Sequence, residues 1–169
     1  MNFDRLIHSG YRPRITVYTD GSCDTNTRAG GWGCILRSKN GRMEMYGSVS
    51  DTTNNQMELT AVIEALNALK EPCIVNVHTD SQYVITGSKF VFYWRDHGWL
   101  KKDGNPVSNI ELWETYLEAI RPHAVMFKWV RGHATNRFNN RCDQLAVAAR
   151  KGKLNMADKV FIQNKPFVK

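Results

Sequence analysis

Four acidic residues of this chain stand where strands or helices are expected to begin or end: Asp20, Glu58, Asp80 and Asp143. If the strands before Asp20 and Asp80 are neighbours in one sheet, their carboxylates lie side by side at its edge. Two helix starts would bring the other two acids to the same place. Carboxylates packed together raise one another's pKa unless cations neutralise them. Oxygen-only ligation selects Mg²⁺ or Mn²⁺ rather than zinc, and two such ions are a known means of in-line displacement at a phosphodiester.

Each acid taken alone has an ordinary structural explanation. An aspartate after a strand is usually a turn former, and a glutamate early in a helix usually complements the helix dipole. Only the joint placement of all four acids favours a metal-dependent enzyme, so the elements that carry them decide between the two interpretations.

Hydrophobic periodicity predicts five strands and four helices in the order βββαβααβα. Strand-like alternation covers residues 15–19, 32–37, 42–49, 74–79 and 125–130. Helical spacing covers a run from Asn54 that Pro72 stops, then residues 91–99, 110–120 and 139–150, with a short helical start at 81–85. Asn40-Gly41 predicts a hairpin, and Asp20-Gly21-Ser22 predicts a turn that ends the first strand. This order calls for a mixed α/β fold, a five-stranded mixed sheet flanked by helices.

Length and composition are those of a single globular domain. The chain has 169 residues, of which 42% are hydrophobic and 11% aromatic. No apolar run approaches the roughly 18 residues of a membrane helix, and residues 1–14 lack the apolar block of a secretory signal. A cytoplasmic location without membrane attachment is therefore expected. The four cysteines include no CxxC pair, which disfavours a zinc ribbon and favours buried thiols over a disulfide.

The formal net charge of +7 is unevenly distributed along the chain. Residues 150–169 carry a net charge of +5, and residues 121–142 contain five basic residues and no acid: Arg121, Lys128, Arg131, Arg137 and Arg141. A local basic block and a basic tail favour a polyanionic partner, although a solubilising surface charge explains them equally well. Nothing in the sequence requires more than a monomer.

A series of short motifs resembles type 1 ribonuclease H. They are Thr19-Asp20-Gly21-Ser22-Cys23, Gly30-Gly31-Trp32-Gly33, Thr53-Asn54-Asn55-Gln56-Met57-Glu58-Leu59, Thr79-Asp80-Ser81-Gln82-Tyr83-Val84, Trp129-Val130-Arg131-Gly132-His133-Ala134 and Arg141-Cys142-Asp143. Each motif is weak alone, whereas their shared order and spacing over about residues 14–150 are specific. The resemblance implies a ribonuclease H-like fold for one catalytic domain at residues 14–151, between an N-terminal extension, 1–13, and a basic C-terminal tail, 152–169.

The resemblance also implies a reaction and the residues that carry it out. The family's enzymes are endonucleases that hydrolyse the RNA strand of RNA–DNA hybrids by a two-metal-ion, in-line water attack, leaving 5′-phosphate and 3′-hydroxyl ends. Asp20, Glu58, Asp80 and Asp143 match the metal-binding acids, which would hold two Mg²⁺ ions, with Mn²⁺ as a substitute. His133 matches a histidine of proton transfer or product release, a role that suits an imidazole pKa of about 6.5.

Contacts to the hybrid are implied at two places. The amide side chains that match minor-groove contacts are Asn26, Asn54, Asn55 and Gln82. Amides both donate and accept hydrogen bonds, so they can contact 2′-hydroxyls and base edges whatever the base sequence. Thr53 matches a residue of the family's phosphate pocket. Near this pocket, Asp51 stands where many relatives have a basic residue. As an alternative, Asn54 and Asn55 could simply cap the helix that begins there, and both roles are compatible.

Residues 89–102 resemble the basic protrusion that holds the DNA strand. The implied contacts are Lys89, Phe90, Trp94, Lys101 and Lys102, through phosphate charge and sugar packing. Asp96 and Asp103 reduce the positive charge of this region, so a weaker contact is expected than in strongly basic relatives. The alternative is that Phe92, Trp94 and Trp99 belong to the core, which we expect for some of them.

Two other functions compete with this interpretation. An integrase or junction resolvase shares the acidic cluster but lacks this set of motifs. A catalytically silent hybrid-binding module would have lost an acid, whereas all four are present.

Overall fold

The computed structural model describes residues 11–132 and 135–154. His133, most of the predicted N-terminal extension and most of the predicted basic tail lie outside the described residues. Within the described part of the chain, no helix has both the length and the apolar character needed to cross a membrane.

Residues 11–132 and 135–154 contain five strands and four helices in the order that the sequence predicts. The strands are β1 (Arg14–Cys23), β2 (Gly30–Ser38), β3 (Gly41–Val49), β4 (Ile74–Thr79) and β5 (Ala124–Trp129). The helices are α1 (Asn54–Asn67), α2 (Gln82–Asp96), α3 (Ile110–Ile120) and α4 (Arg137–Arg150). The sheet order is β3-β2-β1-β4-β5, with antiparallel pairing among β1, β2 and β3 and parallel pairing of β1 with β4 and β4 with β5. The predicted five-stranded mixed sheet and the element order are confirmed.

The main hydrophobic core lies between one face of the sheet and the helices α1 to α3. Val17, Leu36 and Val75 of the sheet, Leu59 of α1 and Trp113 of α3 are all fully buried there. On the opposite face, α4 packs against β1, β2 and β3. All four cysteines are free thiols and three of them are buried, in agreement with the thiol prediction.

The turn predicted at Asp20-Gly21-Ser22 is wrong, because β1 continues through these residues to Cys23. Gly21 pairs with Trp32 and Ser22 with Gly31 of β2, so the hydrogen-bonded ladder overrides the local turn preference. The chain turns after β1 instead, where Arg28 N donates to Asp24 O at 2.8 Å.

The two helical segments predicted at 81–85 and 91–99 form one helix, α2, which ends at Asp96. The residues between them include Gly87, a weak helix former. A Cβ at Gly87 would lie only 2.1 Å from Cζ2 of Trp113. The glycine therefore makes room for a buried indole in the core and does not interrupt the helix.

Candidate active site

Asp20 lies inside β1 opposite Gly33 of β2, and only 7% of its surface is exposed. The backbone N–H of Gly21 donates to Asp20 Oδ1 at 2.8 Å. A Cβ at Gly21 would lie 2.3 Å from the backbone nitrogen of Glu58. The missing side chain thus lets α1 approach β1 closely and brings Glu58 to Asp20.

Glu58 is held by groups at the beginnings of two helices. Thr53 caps α1 in a reciprocal capping box with Gln56, which places Glu58 in the second turn. Asn54 Nδ2 donates to Glu58 Oε1 at 2.8 Å, and Ser81 Oγ donates to Glu58 Oε2. Ser81 is also the N-cap of α2 and accepts from Val84 N at 3.1 Å. Both carboxylate oxygens of Glu58 are therefore oriented by hydrogen bonds.

Asp80 directly follows β4, which pairs in parallel with β1, so Asp80 lies at the same edge of the sheet as Asp20. Trp129 Nε1 at the end of β5 donates to the Asp80 carbonyl oxygen at 3.1 Å. A Cβ at Gly132 would lie 2.2 Å from Asp80 Oδ2. The loop after β5 therefore contacts the Asp80 carboxylate immediately before His133, which lies outside the described residues.

Asp143 is carried by α4, which packs closely on β2. A Cβ at Gly33 would lie 2.6 Å from the carbonyl oxygen of Cys142, the residue before Asp143. Arg141 Nε and Nη2 donate to Oε2 of the buried Glu44 of β3 at 3.0 and 2.9 Å. Charge-assisted hydrogen bonds of this kind fix orientation, so the pair holds α4 on the sheet next to Asp143.

The four predicted acids line one cleft of about 310 Å³, together with Gly21, Ser22 and Asn54. No lysine or arginine is among the described residues that line it. Burial raises the pKa of Asp20 to about 8, aided by the negative charges of Asp80, Asp143 and Glu58. The pKa of Glu58 is also raised, by burial first and by Asp80, although the hydrogen bond from Ser81 opposes this shift.

Divalent cations fit this donor set. The cleft offers carboxylate oxygens, which hard ions prefer, and a cation would offset the repulsion that raises the pKa of Asp20. Within the described residues, no group of three or more acidic, histidine or cysteine side chains is already arranged to hold a metal ion. Because Glu58 faces Asn54 and Ser81 with its two oxygens, metal binding would require carboxylates to reorient.

The amide residues implied in substrate contact lie at the starts of helices and in the turn after β1. Asn54 lines the cleft, whereas Asn55 and Gln82 are exposed in the first turns of α1 and α2. Asn26 is exposed in the turn after β1, where its N–H donates to Asp24 Oδ1 at 3.0 Å. Thr53, not Asn54 or Asn55, is the N-cap of α1, so the two asparagines are not needed for capping.

The segment implied as a basic protrusion is partly core and partly surface. Lys89, Phe90, Lys101 and Lys102 are exposed, and Lys102 Nζ lies 5.8 Å from the centre of the Phe90 ring. Trp94 packs edge-on against Trp113 at 5.7 Å and contributes, like Trp99, to the core. Two of the three aromatics considered for the core, Trp94 and Trp99, thus pack against it, whereas Phe92 is 48% exposed.

Two contacts of the site have no clear counterpart in the sequence pattern. Ser81 carries an N-cap signal before α2, but nothing local indicates that it also binds Glu58. Arg28 adopts a positive φ of 58° and pairs through Nε with Asp51, beside the start of α1. The acid at position 51 is thus accompanied by a cation from the turn after β1.

A pH dependence of stability follows from the raised pKa of Asp20. In the unfolded chain this group titrates at about 3.8 and in the folded, metal-free protein at about 8. The folded state therefore retains a proton that the unfolded state has lost, and the free energy of unfolding should fall as pH rises from 4 to 8, by on the order of a few kcal/mol. Urea denaturation in EDTA measures this directly.

The Asp20→Asn variant provides the control, because asparagine does not titrate. Its free energy of unfolding should depend less on pH, so that it exceeds the wild-type value at pH 8. Parallel curves for the two proteins would contradict the assignment of this dependence to Asp20.

Comparisons with known proteins agree with this fold. The RNase H family model matches residues 12–151. Ribonuclease H of Chelativorans sp. (strain BNC1) is 53% identical over 136 residues, covering 80% of this chain and 84% of the relative. Ribonuclease H of Gluconobacter oxydans (strain 621H) is 46% identical over 143 residues, covering 84% and 95%. The crystal structure of LC9-RNase H1, described as a type 1 RNase H with the type 2 active-site motif, superposes with a TM-score of 0.76 at 33% identity, covering 85% of this chain and 75% of that one. The resemblance found in the sequence is confirmed, and the chain belongs to the RNase H family.

Proposed function

We propose that this chain is an endonuclease that hydrolyses the RNA strand of RNA–DNA hybrids. The observation that carries the proposal is the cleft in which Asp20, Glu58, Asp80 and Asp143 meet from four separate elements. Family membership points to the same activity. All four acids come from one chain, so we expect a monomer to be active.

The four acids would hold two divalent cations, Mg²⁺ or alternatively Mn²⁺. When bound, these ions supply an activated water and stabilise the leaving oxygen of an in-line displacement, which would leave 5′-phosphate and 3′-hydroxyl ends. Asp20 would lose its proton as the cations bind, since their charge offsets the repulsion from its neighbours. Asn54 and Ser81 hold both oxygens of Glu58 in the metal-free protein, and at least one of these hydrogen bonds would be exchanged for a cation.

The surroundings of the cleft suit a hybrid substrate. Asn26, Asn54, Asn55 and Gln82 present amides that can donate to and accept from 2′-hydroxyls and base edges. Thr53 stands at the start of α1 beside them, as expected of a phosphate contact. Lys89, Phe90, Lys101 and Lys102 would contact the DNA strand, with Trp94 supporting them from the core. His133 directly follows Gly132, which contacts Asp80, and would act in proton transfer or product release.

One assay tests the proposal against its competitors. The protein is incubated with Mg²⁺ and end-labelled RNA–DNA hybrid, duplex DNA, duplex RNA or a DNA four-way junction. Cleavage confined to the RNA strand of the hybrid is expected, with 5′-phosphate ends identified by their sensitivity to phosphatase. Binding of the hybrid without cleavage in Mg²⁺ or Mn²⁺ would indicate a silent binding module, and cleavage of the junction would indicate a resolvase.

A further inference from the structure

A second basic surface lies away from the acidic cleft, at the tip of the β2–β3 hairpin and the start of α4. Its cavity of about 400 Å³ is lined by Arg37, Ser38, Lys39, Gly41, Arg42, Arg137 and Phe138. We call these residues the hairpin patch. No acid is among the described residues that line it. One of its residues, Arg137, belongs to the acid-free basic block at residues 121–142. The proposed active site does not use this block.

Three cations of the hairpin patch have no carboxylate partner within the described part of the chain: Arg37, Lys39 and Arg137. The nearby Glu44 is buried and already accepts both hydrogen bonds from Arg141, while Arg42 Nη2 lies 3.8 Å from its other oxygen. Within the described residues, the charges of Arg37, Lys39 and Arg137 are therefore not offset by a carboxylate and are available to an anion.

Phe138 organises the two arginines of the patch. The Arg37 guanidinium carbon lies 4.2 Å from the centre of the Phe138 ring, and the Arg137 guanidinium carbon lies 4.7 Å from it. Stacking of a guanidinium on an aromatic ring limits its freedom but leaves its N–H groups able to bind phosphate oxygens. Less side-chain entropy is then lost when an anion binds.

The hairpin patch packs through Phe138 against the strand that carries Asp20 and, through Tyr18, against the strand that precedes Asp80. Phe138 contacts Tyr18 of β1 at a ring distance of 5.0 Å, and Tyr18 contacts His78 of β4 at 4.8 Å. Tyr18 precedes Asp20 by two residues, as His78 precedes Asp80. Residues two apart along a strand share a face, so Asp20 points to the face of the sheet on which Tyr18, α4 and the patch lie.

The separation of the patch from the cleft suits one continuous nucleic acid. Asp20 pairs with Gly33, and Arg37 lies four residues farther along β2. At a strand rise of roughly 3.3 Å per residue this is about 13 Å. A nucleic-acid strand that followed β2 with a rise of about 3.4 Å per nucleotide would cover that distance in about four nucleotides.

We propose that the hairpin patch binds the phosphodiester backbone of the same nucleic acid that occupies the cleft, about four nucleotides from the cut. This rests on the proposed function for the identity of the bound duplex. The patch neutralises phosphates without contacting base edges, so it adds affinity and fixes the path of the duplex without adding sequence preference.

The test is the salt dependence of hybrid binding, measured by fluorescence anisotropy in EDTA so that no cleavage occurs. In Arg37→Gln/Arg137→Gln, the slope of log K against log salt should become shallower by about 1 to 2, because two phosphate contacts are lost. The charge-matched variant Lys70→Gln/Arg121→Gln, altered outside the patch, should keep the wild-type slope. Arg37→Lys/Arg137→Lys retains both charges and should largely restore it, which also separates lost contacts from disturbed folding.

Hybrids truncated on each side of the cut in turn locate the contact. Truncation on the side of the patch should weaken wild-type binding and abolish the difference between wild type and the glutamine variant. An unchanged slope in Arg37→Gln/Arg137→Gln, or an equal loss in the control, would overturn the proposal. Absence of cleavage with an altered slope would instead contradict only the proposed hydrolytic function.

Discussion

Replacement of Asp20 by asparagine should lower the rate of RNA cleavage in a hybrid by at least about a thousandfold, because metal-assisted charge stabilisation contributes several kcal/mol to the transition state. Asp20 is the most buried of the four acids, and the charges of the other three act on it. An amide at this position retains the shape of the side chain but loses a charged ligand. Single-turnover cleavage of a labelled hybrid in Mg²⁺ measures the effect.

Two controls distinguish lost chemistry from lost structure. Asp20→Asn should unfold at a higher urea concentration than the wild type at pH 8 in EDTA, since it removes a source of repulsion. Glu114→Gln removes an exposed charge from α3 and should cleave at the wild-type rate. Cleavage by Asp20→Asn at the wild-type rate would show that the cleft is not the active site.

The sequence predicts the architecture well where periodicity is long and uninterrupted. The strand Ile74–Thr79 and the helix Ile110–Ile120 have the bounds predicted for them, since apolar alternation and helical spacing are both clear there. The errors lie where a local preference conflicts with long-range packing. The turn predicted at Gly21 and the gap predicted between residues 85 and 91 are both wrong, since β1 continues through Gly21 and α2 through Gly87. Both positions require glycine because a side chain would collide with a neighbouring element.

The acids of the candidate site are predictable from the sequence because short motifs mark them, and the structure brings them to one cleft. The contacts that orient them are less predictable. Ser81 contacts Glu58 across 23 residues of sequence, and Arg141 contacts Glu44 across 97. Such pairs depend on how α1, α2 and α4 pack on the sheet, which no local pattern specifies. The hairpin patch also cannot be predicted from a local pattern, because its residues come from β2, β3 and α4.

Gly21→Ala should reduce both stability and cleavage, although it changes no functional group. The new methyl would lie 2.3 Å from the backbone nitrogen of Glu58 and 2.5 Å from the backbone carbonyl carbon of Met57. Backbone atoms cannot rotate away as a side chain can, so α1 must move from β1 and Glu58 must move from Asp20. We expect a loss of about 2–4 kcal/mol in the free energy of unfolding, the upper range for overpacking a core.

The same displacement should lower cleavage by about a hundredfold in the fraction of protein that remains folded, because catalytic groups tolerate little misplacement. Circular dichroism at the assay temperature determines that fraction, and urea denaturation gives the change in stability. Thr16→Ala, which removes atoms from the same strand, should not reproduce the loss of activity. Wild-type activity and stability in Gly21→Ala would show that α1 does not depend on this close approach, and that the position of Glu58 is set by Asn54 and Ser81 alone.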